Sequence, residues 1–261
     1  MTVSDSSFGS AMTWPDLKPS EIEYPSSDGE PMAESDATRR VMIELLTAAK
    51  YHFQRRDDVY VSGDLFVYFE EGNPSAVIAP DFFVVRGVPS GDRQTYKLWE
   101  EGKAPELAIE VTSPKSHIRD LGDKRAIYER LGVLEYYVFD PEGVGFSPPF
   151  RGFSLRDGNL VPIAPDERSD GELVFSSEVL GLELHGLGKH LRLIDPQTGE
   201  VLPAPDDLVQ KMEEVTAHVD AATIRANAQE ERANAEQARA DAAEAELARL
   251  REELERRGSD S

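Results

Sequence analysis

Short apolar segments that favour β-strands alternate with two helical patterns along much of the chain, and this order constrains the fold most. The β-rich segments are bounded by proline, glycine or acidic turn residues and cover residues 59–69, 76–85, 106–112 and 134–139. Apolar residues at helical spacing cover residues 37–55, after Ser35 or Asp36 as N-cap, and residues 117–131, which end at Gly132. The order α-β-β-β-α-β predicts an α/β fold around a central mixed sheet.

Three further regions flank this pattern. Residues 1–35 are rich in serine, proline and acidic residues and lack periodicity, which predicts a mobile or loosely docked arm. Residues 150–195 contain additional short strand candidates that would extend or cover the core, so we expect one domain over residues 36–200. Residues 206–257 contain neither glycine nor proline and are rich in alanine, glutamate and arginine, which predicts a long C-terminal helix.

A 4-3 spacing can be followed along this last helix, as in a coiled coil. The seam is apolar except at Gln229 and Glu236, but its middle is rich in alanine and therefore weak. The alternative is a single solvated helix. We expect the coiled coil, and with it a homo-oligomer. The seam positions are Leu208, Met212, Val215, Val219, Ala222, Ala226, Gln229, Ala233, Glu236, Ala240, Ala243, Leu247, Leu250 and Leu254.

Charge and composition narrow the class of protein. The formal net charge of −22 argues against a protein that grips nucleic acid by bulk electrostatics, although a bound metal ion can supply local positive charge. The chain has no cysteine, and its histidines lack the paired spacing of a zinc hydrolase. No segment approaches the roughly 18 apolar residues of a membrane helix, and the N-terminus lacks the pattern of a secretory signal. We therefore expect a cytoplasmic protein without a membrane anchor.

Two acidic residues interrupt the apolar strand segments. Asp81 follows Pro80 within residues 76–85, and Glu110 lies within residues 106–112. A carboxylate in such surroundings is costly unless it is paired or liganded. Adjacent strands could bring both to one end of the sheet, where oxygen ligands suit Mg²⁺, and a bound metal would activate water for phosphodiester hydrolysis. The alternative is that Asp81 caps a turn and Glu110 pairs with a basic neighbour.

Lys124 lies on the apolar stripe of the second predicted helix, with Asp120 one turn before it. A lysine directed at a carboxylate pair could stabilise the negative charge of a phosphorane or hold the attacking water. The alternative is a lysine whose stem packs while its ammonium group reaches solvent. Lys115, in the loop before this helix, is a rival for the catalytic role.

These residues resemble the core signature of the Uma2 family of endonucleases. The resemblance runs from about Ser35 to Asp195 and rests on four segments: Tyr60–Pro74, Ala79–Val85 with its Pro-Asp pair, Glu110–Asp120 followed by Lys124 and Tyr128, and Gly132–Pro141. It implies a restriction-endonuclease-like, PD-(D/E)XK fold. It also implies that Asp81 and Glu110 bind Mg²⁺, with Mn²⁺ as a substitute, that Lys124 is the catalytic lysine, and that the substrate is DNA rather than RNA.

The chain departs from the pattern at two positions. The wider superfamily has its lysine two residues after the acid, where this chain has Thr112, while Uma2-like sequences move the lysine into the next helix. Thr38 stands near the place where family members often have a histidine. Glu44 could be a further ligand, but we expect it on a solvated helix face.

Two functions remain open at this level. The first is a metal-dependent endonuclease, and the alternative is an inactive domain of the same fold that acts as a binding or assembly module through its C-terminal coiled coil. The segment Arg93–Lys103 mixes basic and aromatic residues, so it could contact nucleic acid. The simpler interpretation of that segment is a surface hairpin with a buried Trp99.

Overall fold

A computed structural model of the chain describes residues 22–27, 35–112 and 116–259. The chain divides into two compact units, Met1–Pro205 and Asp206–Ser261. The domain boundaries expected from the sequence, residues 36–200 and 206–257, stay predictions. The helices are α1 (Asp36–His52), α2 (Leu98–Glu101), α3 (His117–Arg119), α4 (Arg125–Leu131) and α5 (Pro205–Ser259), with a π-helical turn (Asp120–Lys124) between α3 and α4.

A six-stranded mixed sheet forms the centre of the first unit, with the strand order β1-β4-β6-β7-β8-β9. Only β6 and β7 are paired in parallel among these strands, and a parallel pair needs a crossover, which α3, the π turn and α4 supply. The predicted α/β class with a central mixed sheet is confirmed. The strands of this sheet are β1 (Val59–Ser62), β4 (Phe82–Arg86), β6 (Leu107–Val111), β7 (Glu135–Phe139), β8 (Phe150–Arg156) and β9 (Asn159–Ile163).

Both faces of the central sheet are covered. One face packs against α1 and against a four-stranded antiparallel sheet, and the buried residues of these elements form one hydrophobic cluster. The other face packs against α4 and a three-stranded sheet in a second cluster. The four-stranded sheet contains β10 (Asp166–Glu167), β11 (Leu173–Ser177), β12 (Leu182–Leu187) and β13 (His190–Ile194). The three-stranded sheet contains β2 (Val67–Tyr68), β3 (Val77–Ile78) and β5 (Tyr96–Lys97).

Helix α1 begins as its sequence indicates. The Ser35 side chain accepts a hydrogen bond from the backbone N–H of Thr38, which makes Ser35 the N-cap. The apolar residues that recur at helical spacing, among them Val41 and Leu45, are fully buried. Because α1 presents this face to the sheet, it fixes the entry of the chain into β1.

Two predicted strands are each divided between two sheets. The segment 59–69 leaves the central sheet after Ser62, because Asp64 adopts a left-handed φ of 52° and turns the chain toward β2. The segment 76–85 is divided at Pro80-Asp81, with β3 before the break and β4 after it. Proline lacks the backbone N–H that a strand donates to its neighbour, so the strand is divided where Pro80 could not form this hydrogen bond.

The predicted helix 117–131 is interrupted by the π turn, which inserts one additional residue per turn into the helix. Gly132 ends α4 with a φ of 76°, as expected for a C-terminal glycine. The rival Lys115 lies outside the described residues, as does most of the N-terminal arm. Of that arm, Tyr24 packs edge-to-face against Tyr68 and at a tilt against Trp99, at 5.1 Å between ring centroids in each case.

Helix α5 exposes its described side chains almost along its whole length. The seam residues Met212, Val215 and Val219 are exposed by 57–70%. Within the described part of the chain, no helix has the length and apolarity that crossing a membrane requires.

Candidate active site

Asp81 immediately precedes β4, and Glu110 lies in β6, the strand that pairs with β4 in antiparallel orientation. The register pairs Phe82 with Ile109, so one residue further along the strands Asp81 lies opposite Glu110. Cross-strand neighbours project on the same face of a sheet. The Asp81 carboxylate is held in place because its Oδ2 accepts a hydrogen bond of 2.7 Å from the backbone N–H of Val111. The structure therefore brings the two predicted acids together.

Glu110 is fully buried, and each of its carboxylate oxygens has a partner. Lys124 Nζ donates to Oε2 at 2.7 Å, and the Tyr128 hydroxyl donates to Oε1 at 2.5 Å. Glu110 thus pairs with a basic neighbour, as the alternative interpretation expected, and that neighbour is the lysine predicted to act in catalysis. The lysine does not direct its ammonium group to solvent, since its side chain is only 13% exposed.

Lys124 also contacts a second carboxylate, that of Asp120. Its Nζ lies 3.1 Å from Oδ1 of Asp120, four residues earlier, and the Asp120 side chain is only 2% exposed. Both residues belong to the π turn. Single π turns occur often at functional sites because they change the direction of side chains on a helix. Here the turn directs Asp120 and Lys124 to the same point on the sheet.

Two tyrosines complete the surroundings of the acids. The Tyr136 hydroxyl donates a 2.7 Å hydrogen bond to the backbone carbonyl of Asp120, so it anchors the π turn to β7. The rings of Tyr128 and Tyr136 lie 4.8 Å apart, and both residues are fully buried. Sequence reasoning missed the role of Tyr136, because its strand reads as an ordinary apolar strand.

The electrostatics of the site favour positive charge. Burial raises the pKa of Glu110, and the charge of Lys124 only partly offsets this. Burial also acts to lower the pKa of Lys124, but the charges of Glu110, Asp120 and Asp81 outweigh it, and the pKa is raised. The Glu110 shift follows mainly from burial, with the charge of Asp120 adding to it, whereas the Lys124 shift follows from the carboxylates around it. Burial likewise raises the pKa of Tyr128 well above its usual range, so the hydroxyl stays protonated and donates.

This donor set fits a hard divalent cation. Asp81 and Glu110 provide carboxylate oxygens on adjacent strands, and the excess negative charge would be compensated by Mg²⁺. In the described residues no group of three or more histidine, cysteine, aspartate or glutamate side chains has the geometry to hold a metal. Mg²⁺ is commonly held by one or two carboxylates, with water completing its coordination, so two acids suffice.

Two expectations about other residues were wrong. Glu44 was expected on a solvated face, but it is only 8% exposed and lies 3.6 Å from His190 and 3.7 Å from Arg192 of β13, because the four-stranded sheet covers that side of α1. The segment Arg93–Lys103 is not a hairpin, since it forms β5 and α2, and Trp99 is only partly buried.

Of the comparisons with known proteins, the family comparison gives a match over most of the chain. The family pattern described as Uma2, "Putative restriction endonuclease", matches residues 11–185. Comparison with curated proteins gave no match. One solved structure with a detectable likeness is described as "a putative nuclease belonging to DUF820 from Anabaena variabilis". The two sequences are 15% identical, and the superposition covers 56% of this chain and 89% of the chain in that structure. Its TM-score of 0.37 is too low to carry an argument.

Proposed function

Because the chain belongs to the Uma2 family of "putative restriction endonucleases", we propose that it is a metal-dependent endonuclease that hydrolyses phosphodiester bonds of DNA. The family match supports a nuclease role. The observation that carries the finer proposal is the meeting of Asp81, Glu110 and Lys124 on one face of the central sheet. A domain that only binds a partner has no evident need for two buried carboxylates, Glu110 and Asp120, paired with one lysine beside a third, half-buried carboxylate, Asp81.

In this proposal Asp81 and Glu110 hold Mg²⁺, and Mn²⁺ can replace it. A divalent metal held by these two acids would make water a better nucleophile and would polarise the phosphodiester. The Val111 N–H orients the Asp81 carboxylate, and the Tyr128 hydroxyl fixes Glu110. The Lys124 ammonium stabilises the negative charge that develops on the phosphoryl oxygens as water oxygen bonds to phosphorus and the P–O bond to the leaving group breaks. The local cation offsets the overall charge of −22.

We also propose that copies of the chain associate through α5. The support is that Met212, Val215 and Val219 are exposed along the 4-3 seam, as are Leu247 and Leu250. Association would place two active sites in one particle, which is one way to cleave both strands of DNA.

The alternative function is an inactive domain that acts as a binding or assembly module. Two observations favour it: the strongly negative net charge, and the engagement of both Glu110 oxygens by Lys124 and Tyr128. It predicts no cleavage of any nucleic acid but retains the association through α5.

Cleavage of plasmid and single-stranded DNA in Mg²⁺ or Mn²⁺ tests the proposal. We expect the wild type to cleave, and Asp81→Asn, Glu110→Gln and Lys124→Ala to lose about a hundredfold or more, as is typical when one group that stabilises a transition state is removed. Chelation of the metal should abolish cleavage. Lys189→Ala, which removes an exposed lysine from the β12–β13 turn, is the matched control.

Each other outcome has a defined meaning. Full activity in Glu110→Gln would refute the assignment of the metal site. Cleavage that survives Lys124→Ala would transfer the catalytic role to Lys115. Failure to cleave DNA or RNA under all metal conditions would favour the binding module.

A further inference from the structure

The ammonium group of Lys124 lies where carboxylates converge. Its Nζ is 2.7 Å from Glu110 Oε2 and 3.1 Å from Asp120 Oδ1, and the charge of Asp81 acts on it as well. The Glu110 and Asp120 side chains are at most 2% exposed, so water contributes little to screening them. Among the residues that the structure describes, Lys124 is the cation that pairs with Glu110 and Asp120.

Each carboxylate oxygen of Glu110 already accepts a hydrogen bond, so a metal ion that binds Glu110 must share an oxygen with one of these partners or replace it. The Tyr128 hydroxyl occupies Oε1, and Tyr128 is fully buried on α4 with its ring against Tyr136. A rigid buried ring of this kind has no space into which it can move. Lys124 occupies Oε2, and its flexible four-carbon stem is partly exposed. Of the two partners, the lysine is the one that can move away.

We propose that Lys124 and a divalent metal ion compete for Glu110, so that metal binding displaces the Lys124 ammonium from Oε2 while Asp120 keeps it within reach of the site. This inference rests on the proposed metal-dependent function and goes beyond it. The i,i+4 contact with Asp120 is independent of Glu110, so the lysine can lose one carboxylate and retain the other. Metal binding would then both load the site and release the ammonium toward the substrate.

Competition makes a prediction that a lysine with only a catalytic role does not. If Lys124 acts on the phosphoryl group alone, its removal lowers the cleavage rate and leaves metal affinity unchanged. If Lys124 competes with the metal, its removal lowers the cleavage rate and raises metal affinity. The two properties therefore change in opposite directions.

Isothermal titration calorimetry of Mg²⁺ and Mn²⁺ on the full chain distinguishes these cases. We expect Lys124→Met, which keeps the side-chain length without the charge, to bind either metal about tenfold more tightly than the wild type, equivalent to about 1.4 kcal/mol. Lys97→Met is the matched control, because Lys97 pairs with Glu100 at 3.0 Å and its loss changes the net charge equally. The control should bind metal with the affinity of the wild type to within about twofold, because the ion pair of Lys97 is with Glu100 and not with a carboxylate of the site.

A second measurement does not depend on the folding of Lys124→Met. The side-chain signal of Lys124 in the wild type, followed by NMR of isotopically labelled lysine and assigned with Lys124→Arg, should shift as Mg²⁺ saturates the site. The Lys97 signal should not shift. Binding of Mg²⁺ with an unchanged Lys124 signal would overturn the inference.

The outcomes separate this inference from the proposed function. If the wild type binds metal and cleaves DNA but Lys124→Met binds metal equally or more weakly, competition is refuted and the nuclease stands. If only Lys124→Met binds metal and the wild type never cleaves, competition is supported and the nuclease proposal fails. If neither protein binds metal, the inference is overturned.

Discussion

Tyr136 and Tyr137 are consecutive residues of β7, and both are fully buried on opposite faces of the central sheet. The Tyr136 hydroxyl donates to the Asp120 carbonyl within the π turn, while the Tyr137 hydroxyl lies 3.3 Å from Oε2 of Glu135. Glu135 also accepts a hydrogen bond from Ser177, which ties β7 to β11 away from the candidate active site. The two tyrosines therefore offer a comparison in which burial is equal, while one hydroxyl bonds to the candidate active site and the other bonds away from it.

We predict that Tyr136→Phe impairs the site and Tyr137→Phe does not. Each change removes one buried hydrogen bond and should lower the free energy of unfolding by about 1–3 kcal/mol. In Tyr136→Phe the Asp120 carbonyl loses its anchor, so Lys124 is misplaced and kcat should fall with little change in KM. Denaturant unfolding and steady-state kinetics of both variants test this. An equal loss of kcat in both variants would show that Tyr136 has only a structural role.

At the scale of elements, the position of Asp81 depends on the close approach of β1 to β4. A Cβ atom added to Gly63, just after β1, would lie 2.1 Å from the backbone oxygen of Asp81. The next residue, Asp64, donates its backbone N–H to the Pro80 carbonyl at 2.8 Å. The end of β1 thus holds the start of β4 directly through its backbone, and only glycine permits the contact.

We predict that Gly63→Ala displaces the Asp81 backbone and weakens metal binding by about tenfold or more, because ligands must be held to within a fraction of an ångström. Stability should also fall by about 1–3 kcal/mol, as for other overpacking substitutions. Gly91→Ala is the control, since an added Cβ there has no atom within 4 Å. Calorimetric metal titration and thermal unfolding measure both effects. Unchanged metal affinity in Gly63→Ala would show that β4 adjusts without moving Asp81.

At the scale of the whole molecule, α5 is the feature that a single chain leaves unexplained. Its side chains are exposed and most of them are polar or small, yet large apolar residues recur on the 4-3 seam. A helix of 55 residues gains most of its stability from packing rather than from propensity. A second copy of α5 would cover the seam.

We predict that Val215→Asp combined with Val219→Asp abolishes self-association of the full chain. The buried carboxylates would repel each other at the seam. The control is Ala217→Asp combined with Ile224→Asp, which adds the same charge at exposed positions outside the seam. Sedimentation equilibrium should give an oligomer for the wild type and the control, and a monomer for the seam variant. A monomeric wild type would rule out the coiled coil.

The sequence by itself determined the types of most elements, the α/β class and the candidate acids. These depend on local periodicity and on a carboxylate that stands out among apolar neighbours, as Asp81 and Glu110 do. The choice of Lys124 came from its place on a helical stripe together with the family resemblance. Their roles in catalysis stay proposals, whereas their proximity is a property of the fold.

Only the tertiary structure decided how these residues meet. The left-handed turn at Asp64, the π turn and the burial of Glu44 result from contacts between segments far apart in the chain, and no local pattern encodes them. Tyr136 reaches Asp120 across 16 positions, so the sequence cannot reveal that the strand anchors the turn. Local preference selects helix or strand. The packing of the sheet against α1 and α4 decides which backbone irregularities, such as the Asp64 turn and the π turn, are stabilised. At this site those irregularities position the charged side chains.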